Sequence, residues 1–151
     1  MLYKICALAI LITVLISGRC YGQETTQRKP DPYCFNEAGA RYGVSPLLLW
    51  SISRHESKHS PTAIHLNRNG SYDFCHMQIN SSWANKIGMR SWMGLGDPCH
   101  CTMIGAWVLA HCIQRYGYTW DAVGCYNAQS PDKRRSYAGK IYQTMRSFRL
   151  M

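Results

Sequence analysis

Apolar residues recur at helical spacing in several stretches of the chain, and this pattern predicts a mainly α-helical fold. Three stretches open with a capping residue followed by proline, at Asp31-Pro32, Ser45-Pro46 and Asp97-Pro98. Such a pair is typical of a helix start, because the capping side chain accepts a backbone hydrogen bond and proline lacks the amide that the first turn leaves unpaired. The predicted helices run over about 31–42, from 45 to before Pro61, and over about 99–116.

The rest of the chain predicts shorter helices, one more long helix and a small β element. The turn residues "NRNG" separate "TAIHL" from "SYDFCHMQIN", which predicts an irregular hairpin. A short helix near 81–87 and a glycine-rich loop follow, then a short helix at "TWDAV" and a final helix from Ser130 to about Phe148. There is no repeat or interior linker, so we expect one domain over 31–149.

The chain begins with a charged tetrapeptide, "MLYK", followed by the apolar run "ICALAILITVLIS". This run is too short for a membrane span and is typical of a secretory signal. We therefore expect a signal peptide over 1–22 and a polar leader over 23–30. The protein is expected to be periplasmic or secreted, with no stable membrane anchor after cleavage.

The formal net charge is +9, and loss of the predicted signal removes Lys4 and Arg19 but no acidic residue. A basic exported domain is suited to an anionic polymer outside the cytoplasm. The positive charges are scattered, apart from "DKRRSYAGK" near the end. This distribution favours an anionic matrix and disfavours nucleic acid as the partner.

Six of the eight cysteines lie beyond the predicted signal. An even number in an exported chain predicts disulfides. Metal binding is the competing interpretation, since "CHC" at 99–101 and "HC" at 111–112 supply soft ligands. No C-x-x-C knuckle is present, so disulfides are favoured, but these spacings leave their connectivity open.

Residues 55–59, "HESKH", match the H-E-x-x-H pattern of zinc proteases, and His65 stands where metzincins carry a third ligand. Two observations oppose zinc. Thr62 occupies the position where metzincins need glycine, and no glutamate follows Glu56 to complete the other zincin class. We therefore expect no metal and no cofactor, and we expect the histidines at 55 and 59 on the surface near a helix end.

Glu56 is predicted to lie in the last turn of a helix, beside its apolar face. The negative end of the helix dipole and burial by neighbours would both favour a protonated carboxyl, which suits a general acid. The alternative is an exposed glutamate paired with Arg54 or Lys58. Position alone does not choose between the two.

Three motifs in order, "ISRHES", "NGSYDFCHMQINSSW" and "GCYNAQ", resemble the soluble lytic transglycosylase (SLT) family. That family carries Glu-Ser, then G-L-M-Q-I-N, then A-Y-N-A-G. The best match is to small exported members associated with type III and type IV secretion, invasion, and conjugation or pilus systems. The resemblance covers most of 33–145 and implies a lysozyme-like α-domain with a small β-hairpin, which cleaves the MurNAc–GlcNAc bond of peptidoglycan.

The resemblance also implies roles for individual residues. Glu56 would be the catalytic residue, protonating the glycosidic oxygen and then closing a 1,6-anhydro ring on the muramyl sugar. Tyr126 with Asn127 would hold the carboxyl of Glu56 and the nearby sugar. The substrate-binding residues would be Ser57, Met77, Gln78, Asn80, Tyr126 and Asn127.

The sequence departs from the family pattern beside both substrate motifs. Cys75-His76 stands for Gly-Leu, Cys125 for alanine and Gln129 for the final glycine. Cysteines at these places suggest that disulfides hold the rim of the groove. The expected pairs are Cys34–Cys99, Cys75–Cys101 and Cys112–Cys125. His76 would either contact substrate or face solvent.

Two alternatives to a transglycosylase remain. The stretch around Asp73 also looks like that of chicken-type lysozymes, so Asp73 is a candidate second carboxylate for a retaining hydrolase, unless it only helps to form the preceding turn. A non-catalytic wall-binding component is the other alternative. The motif match favours a transglycosylase that opens the wall locally for a secretion, conjugation or pilus apparatus.

Overall fold

A computed structural model describes residues 31–149 of the chain. The predicted signal peptide and polar leader lie outside these residues. Within them the helices and strands follow in the order α1 (Phe35–Tyr42), α2 (Pro46–Ser57), β1 (Ile64–Leu66), β2 (Tyr72–Phe74), β3 (Ile79–Asn80), α3 (Ala84–Ile87), α4 (Met89–Met93), α5 (Pro98–Tyr116), α6 (Trp120–Cys125) and α7 (Pro131–Arg149). The predicted mainly helical fold with a small β element is confirmed.

The first helix begins at Phe35, so the predicted start at Asp31-Pro32 was wrong. Those residues open a turn instead, in which the carbonyl of Asp31 accepts a 3.1 Å hydrogen bond from the amide of Cys34. Cys34 has a φ of 45°, in the left-handed region, and therefore cannot continue a right-handed helix from Asp31. Helix α1 ends at Gly43, whose φ of 65° suits glycine.

Helix α2 begins where the sequence predicts. The hydroxyl of Ser45 accepts a hydrogen bond from the amide of Leu48, and Pro46 occupies the first turn. The apolar face, with Leu49 and Ile52 fully buried, packs into the core. The helix ends at Ser57 because Lys58 and His59 both have positive φ.

The β element is a three-stranded antiparallel sheet in the order β1-β2-β3, so it extends the predicted hairpin by one short strand. In its register Asp73 pairs with His65 on one side and with Asn80 on the other. Residues paired in this way project from the same face of a sheet, which brings Asp73 and Asn80 together. A glycine-rich loop was predicted after the short helix near 81–87. This prediction is partly wrong, because helix α4 lies within that stretch.

Helix α5 lies at the centre of the fold and packs against α1, α2 and α6. Its buried residues include Cys101, Ala106 and Leu109, which meet Met77 and, from α7, Ile141 in one apolar cluster. Helix α7 packs on both α2 and α6. The last helix of the domain is therefore held directly against the helix that carries Glu56.

Three disulfides join the same pairs that the sequence suggests. Cys34–Cys99 ties the start of α1 to the start of α5, and Cys112–Cys125 ties α5 to α6. Cys75–Cys101 ties the turn after β2 to α5, and both of its cysteines are fully buried. None of the helices in 31–149 is long and apolar enough to cross a membrane.

Candidate active site

An open cleft of about 730 Å³ runs past the end of α2. One part of its lining comes from the β sheet and its turn, and another from the segment that connects α6 to α7. Amide and hydroxyl side chains dominate this lining, as suits a ligand rich in hydroxyl groups. The polar uncharged residues that line it are Asn67, Asn69, Ser71, Gln78, Asn80, Ser82, Asn127 and Gln129.

Glu56 lines this cleft from the last turn of α2. Burial raises the pKa of its carboxyl from the usual 4.5 to about 7, the hydrogen bond from Tyr137 acts in the opposite direction, and the negative charge of Asp73 raises it further. At neutral pH the carboxyl is therefore divided between its protonated and ionised forms. Such a group can both donate and accept a proton.

The hydrogen bond to Glu56 comes from Tyr137 of α7, whose hydroxyl lies 2.5 Å from Oε1. Tyr137 is itself buried, and its ring stacks on that of Tyr126 at 6.5 Å. The sequence predicts the helix that carries Tyr137 but does not predict its contact with Glu56. A buried tyrosine needs a partner for its hydroxyl, but the sequence does not show which residue that partner is.

Tyr126 does not bond Glu56, contrary to expectation. Its hydroxyl donates instead to the carbonyl of Met77 at 2.8 Å, which fastens the segment after α6 to the turn before β3. Tyr126 and Asn127 both line the cleft. Burial and the neighbouring Glu56 raise the pKa of both Tyr126 and Tyr137, so both remain phenols that donate hydrogen bonds.

Asp73 also lines the cleft, and two amide side chains hold its carboxylate. Asn80 donates to Oδ1 at 2.7 Å and Asn67 donates to Oδ2 at 2.9 Å. The turn itself is held by Asn69, whose side chain accepts from the amide of Ser71. Asp73 therefore places a negative charge beside Glu56, whereas Asn69 makes the side-chain to backbone bond of the turn.

The remaining predicted substrate residues divide into two groups. Gln78 and Asn80 line the cleft. Met77 lies in the core with no exposed surface, and a Cβ added at Gly105 would stand 2.6 Å from its terminal methyl group. Ser57 donates to the carbonyl of His76 at 3.0 Å. Met77 and Ser57 thus support the site from behind and do not form part of its lining.

His76 neither contacts the cleft nor faces solvent, so both expectations for it were wrong. Its Nε2 lies 2.9 Å from the carbonyl of Pro98, and its Nδ1 lies 2.8 Å from the hydroxyl of Ser53. Because a carbonyl only accepts, Nε2 carries the proton and Nδ1 accepts from Ser53. Burial lowers the pKa of His76 to about 4, against the effect of the Pro98 bond, so the ring is neutral. The positive φ of Cys75 and Gln78 shapes the turn that directs this side chain inward.

The histidines of "HESKH" do not form the two-turn arrangement of a zincin. Helix α2 ends between them, and Nδ1 of His59 is 2.7 Å from the hydroxyl of Ser53, with its ring 5.0 Å from that of Trp50. His55 is exposed, as expected, but His59 is half-buried, and burial lowers the pKa of both. Within 31–149 the structure holds no group of three His, Cys, Asp or Glu side chains able to bind a metal.

Residues 33–143 match the family model for the transglycosylase SLT domain, and the chain belongs to this family. The lysozyme-like fold expected from the sequence is thereby confirmed. Membership also makes peptidoglycan the implied substrate, and it agrees with the sugar-compatible lining of the cleft.

Three curated proteins illustrate the relationship. The chain is 38% identical over 125 residues to invasion protein IagB of Salmonella typhimurium, which covers 78% of each chain. It is 37% identical over 117 residues to protein IpgF of Shigella flexneri, with 73% of this chain and 77% of that protein covered. It is 34% identical over 119 residues to X polypeptide of Escherichia coli, with 73% and 70% covered.

Proposed function

We propose that the protein is a peptidoglycan lytic transglycosylase that cleaves the β-1,4 bond between MurNAc and GlcNAc and leaves a 1,6-anhydro-MurNAc end. The observation that supports this most directly is the buried carboxyl of Glu56, with a pKa of about 7, in a cleft of amide and hydroxyl side chains. A transglycosylase needs one group that gives a proton and then takes one back. A carboxyl with its pKa near neutrality meets both requirements.

In the first step protonated Glu56 gives its proton to the glycosidic oxygen, and the bond from that oxygen to C1 of MurNAc breaks. The GlcNAc hydroxyl leaves, and positive charge develops at C1. In the second step the Glu56 carboxylate removes the proton of the C6 hydroxyl while O6 attacks C1. The ring closes, Glu56 is protonated again and no water is consumed.

Two neighbours support these steps. Tyr137 donates to Oε1 of Glu56, which directs the carboxyl and stabilises it when it is ionised between the two steps. The carboxylate of Asp73, held by Asn67 and Asn80, places negative charge in the same cleft, where it would stabilise the positive charge at C1. Asn127 and Gln78, which also line the cleft, are our candidates for hydrogen bonds to the sugar.

The presence of Asp73 in the cleft favours one alternative, a lysozyme-type hydrolase. A retaining hydrolase uses a second carboxylate at C1 and then admits water, which gives a reducing end. The motif match to the transglycosylase family, including "YNA" at 126–128, is our reason for preferring ring closure by O6. A non-catalytic wall-binding role is disfavoured because a binding protein has no need of a buried carboxyl with a raised pKa.

We further propose that the protein acts outside the cytoplasm and opens the wall locally for a secretion, conjugation or pilus apparatus. Proteins of this family are typically exported. One relative is named an invasion protein, which supports a link to such a machine. The basic charge of the chain suits an anionic wall.

The test is digestion of purified peptidoglycan followed by mass spectrometry of the released muropeptides. We expect anhydro-muramyl ends, whereas reducing ends would establish the hydrolase. Glu56→Gln should lower the rate by about 10²–10⁴, since a general acid is removed with little change of shape. Wall cleavage that survives this substitution would disprove the assignment, and release of no muropeptides by the native protein would favour the binding role.

A further inference from the structure

Four charged side chains line the cleft, and the two cations among them have no role in the proposed chemistry. The acids are Glu56 and Asp73, and the cations are Arg68 and Lys133. Arg68 lies in the turn between β1 and β2, and Lys133 lies near the start of α7. The two cations therefore approach the cleft from different parts of its wall, the sheet and the last helix.

Neither cation forms an ion pair within the residues that the structure describes. The ion pairs within 31–149 join Arg134 to Asp121 and Arg135 to Asp132, and neither pair involves Arg68 or Lys133. Both side chains are exposed. Because neither side chain has an ion-pair partner within 31–149, both are available to bind an anionic ligand in the cleft.

The two cations are also not among the causes of the raised pKa of Glu56. The pKa of Glu56 is set by burial, the bond from Tyr137 and the charge of Asp73, with no contribution from Arg68 or Lys133. A cation close to the carboxyl would lower that pKa and oppose the protonated form that the reaction needs. Lys133 lies one helical turn before Tyr137 on α7, so it is near the reaction centre along the cleft without contacting the acid.

The chemistry of the polymer supplies matching anions. The sugar rings of peptidoglycan are uncharged, whereas the stem peptide attached to the lactyl group of each MurNAc carries free carboxylates. A glycan strand bound with its MurNAc beside Glu56 therefore brings anionic stems to the walls of the cleft. Amide and hydroxyl side chains suffice for the sugars, but the stems require cations.

We propose that Arg68 and Lys133 bind stem-peptide carboxylates, so that the cleft selects glycan strands that carry their stems over strands from which the stems have been removed. This proposal rests on the proposed function, because it assumes that a peptidoglycan strand occupies the cleft. Removal of the stem by an amidase leaves a free carboxylate on the lactyl group, which is a second source of the same chemistry. The test must distinguish the two sources.

The experiment compares uncross-linked glycan strands before and after amidase treatment. The kcat and KM for cleavage are measured for the native protein, Arg68→Ala, Lys133→Ala, the double variant and a control, Arg90→Ala, which removes an exposed cation outside the cleft. On stem-bearing strands we expect each single substitution to raise KM about two- to fivefold and the double variant about tenfold, with kcat unchanged. The control should match the native protein, and stripped strands should be bound weakly by every variant.

Binding to the Glu56→Gln variant provides a second readout that does not require turnover. Its dissociation constant for stem-bearing strands should rise with 0.5 M salt, whereas that for stripped strands should change little, because exposed charge pairs are screened. Equal KM values for the two strands would overturn the proposal. So would a double variant that loses affinity for stripped strands to the same degree, since the anion would then be the lactyl carboxylate.

Failure of the proposed function gives a different pattern. In that case no strand is cleaved, or cleavage does not depend on Glu56. If Glu56-dependent cleavage occurs but is indifferent to stems and to both cations, only the stem-binding proposal fails.

Discussion

The hydroxyl of Tyr137 lies 2.5 Å from Oε1 of Glu56, although the two residues are 81 positions apart in the chain. The bond joins α7 to the last turn of α2. It stabilises the ionised carboxyl and so lowers its pKa, whereas burial and Asp73 raise it. The pKa of about 7 is the balance of these opposing effects, and removal of any one of them should move it in a known direction.

Tyr137→Phe tests this balance. Loss of the hydrogen bond removes the effect that lowers the pKa of Glu56, so the protonated form should persist to higher pH. We expect the alkaline limb of the pH–kcat profile to shift to higher pH. We also expect a lower maximal rate, because the carboxyl is less well oriented. Tyr142→Phe, which removes an exposed hydroxyl from the same helix, is the matched control. An alkaline limb that stays at the same pH or shifts to lower pH would contradict this account.

Glu56→Gln should stabilise the fold at neutral and alkaline pH. The folded-state pKa of about 7 exceeds the unfolded value of 4.5, so the folded protein binds more protons and its stability falls as pH rises between these values. Below about pH 4.5 both states are protonated and the difference vanishes. Above pH 7 the variant should gain up to about 3 kcal/mol in the free energy of unfolding.

Urea unfolding at pH 4.5, 6 and 8 measures this gain. A gain that is the same at all three pH values would mean that the carboxyl is not the cause. Asp132→Asn, which neutralises an exposed acid on α7, is the control for removal of a carboxyl that is not buried.

The burial of His76 predicts a loss of stability in acid. Its folded-state pKa of about 4 lies below the usual 6.5, so the unfolded state binds more protons between these values. The contribution is complete above about pH 6.5 and is lost as pH falls toward 4. His59 acts in the same direction on this pKa, whereas Asp31 opposes it.

His76→Gln should remove this contribution, even if the variant is less stable overall, because its amide does not titrate. Glu56, whose raised pKa acts in the opposite direction over the same pH range, is present in both proteins. The difference in the free energy of unfolding between the native protein and the variant should therefore shrink as pH falls from 7 to 4. The free energy of unfolding between pH 4 and 7 gives the slope for both proteins. His65→Gln, a change on the exposed edge strand, should leave the native slope unaltered. A slope shared by all three proteins would show that His76 is not the group that titrates.

Two glycines in helices should respond in opposite ways to alanine. Gly139 lies within α7, and an added Cβ would meet nothing within 4 Å, so Gly139→Ala should stabilise the protein by about 0.5–1 kcal/mol. A Cβ at Gly124 would stand 2.4 Å from the carbonyl oxygen of Arg134, where α6 crosses α7. Gly124→Ala should therefore destabilise it. Thermal unfolding of both variants distinguishes a packing effect from helix propensity, which alone would stabilise both.

Local signals in the sequence determined much of the fold. Ser45-Pro46 and Asp97-Pro98 start helices as predicted, because capping and proline geometry act within one turn. Asp31-Pro32 carries the same signal but forms a turn, since Cys34 adopts a left-handed conformation and is bonded to Cys99 across the fold. The helix-start signal at Asp31-Pro32 thus gives no helix at the place where the chain is bonded to a residue 65 positions away.

The sequence by itself also singled out Glu56 as the candidate acid and contained the motifs of the family to which the chain belongs. Only the tertiary structure decided which tyrosine bonds that acid, that Met77 and Ser57 lie behind the cleft, and that His76 is buried and neutral. Spacing along a chain reports which residues share a face of one helix or strand. Hydrogen bonds and burial between elements depend on how those faces pack. The Tyr137–Glu56 bond therefore follows from the packing of α7 on α2 and not from spacing along the chain.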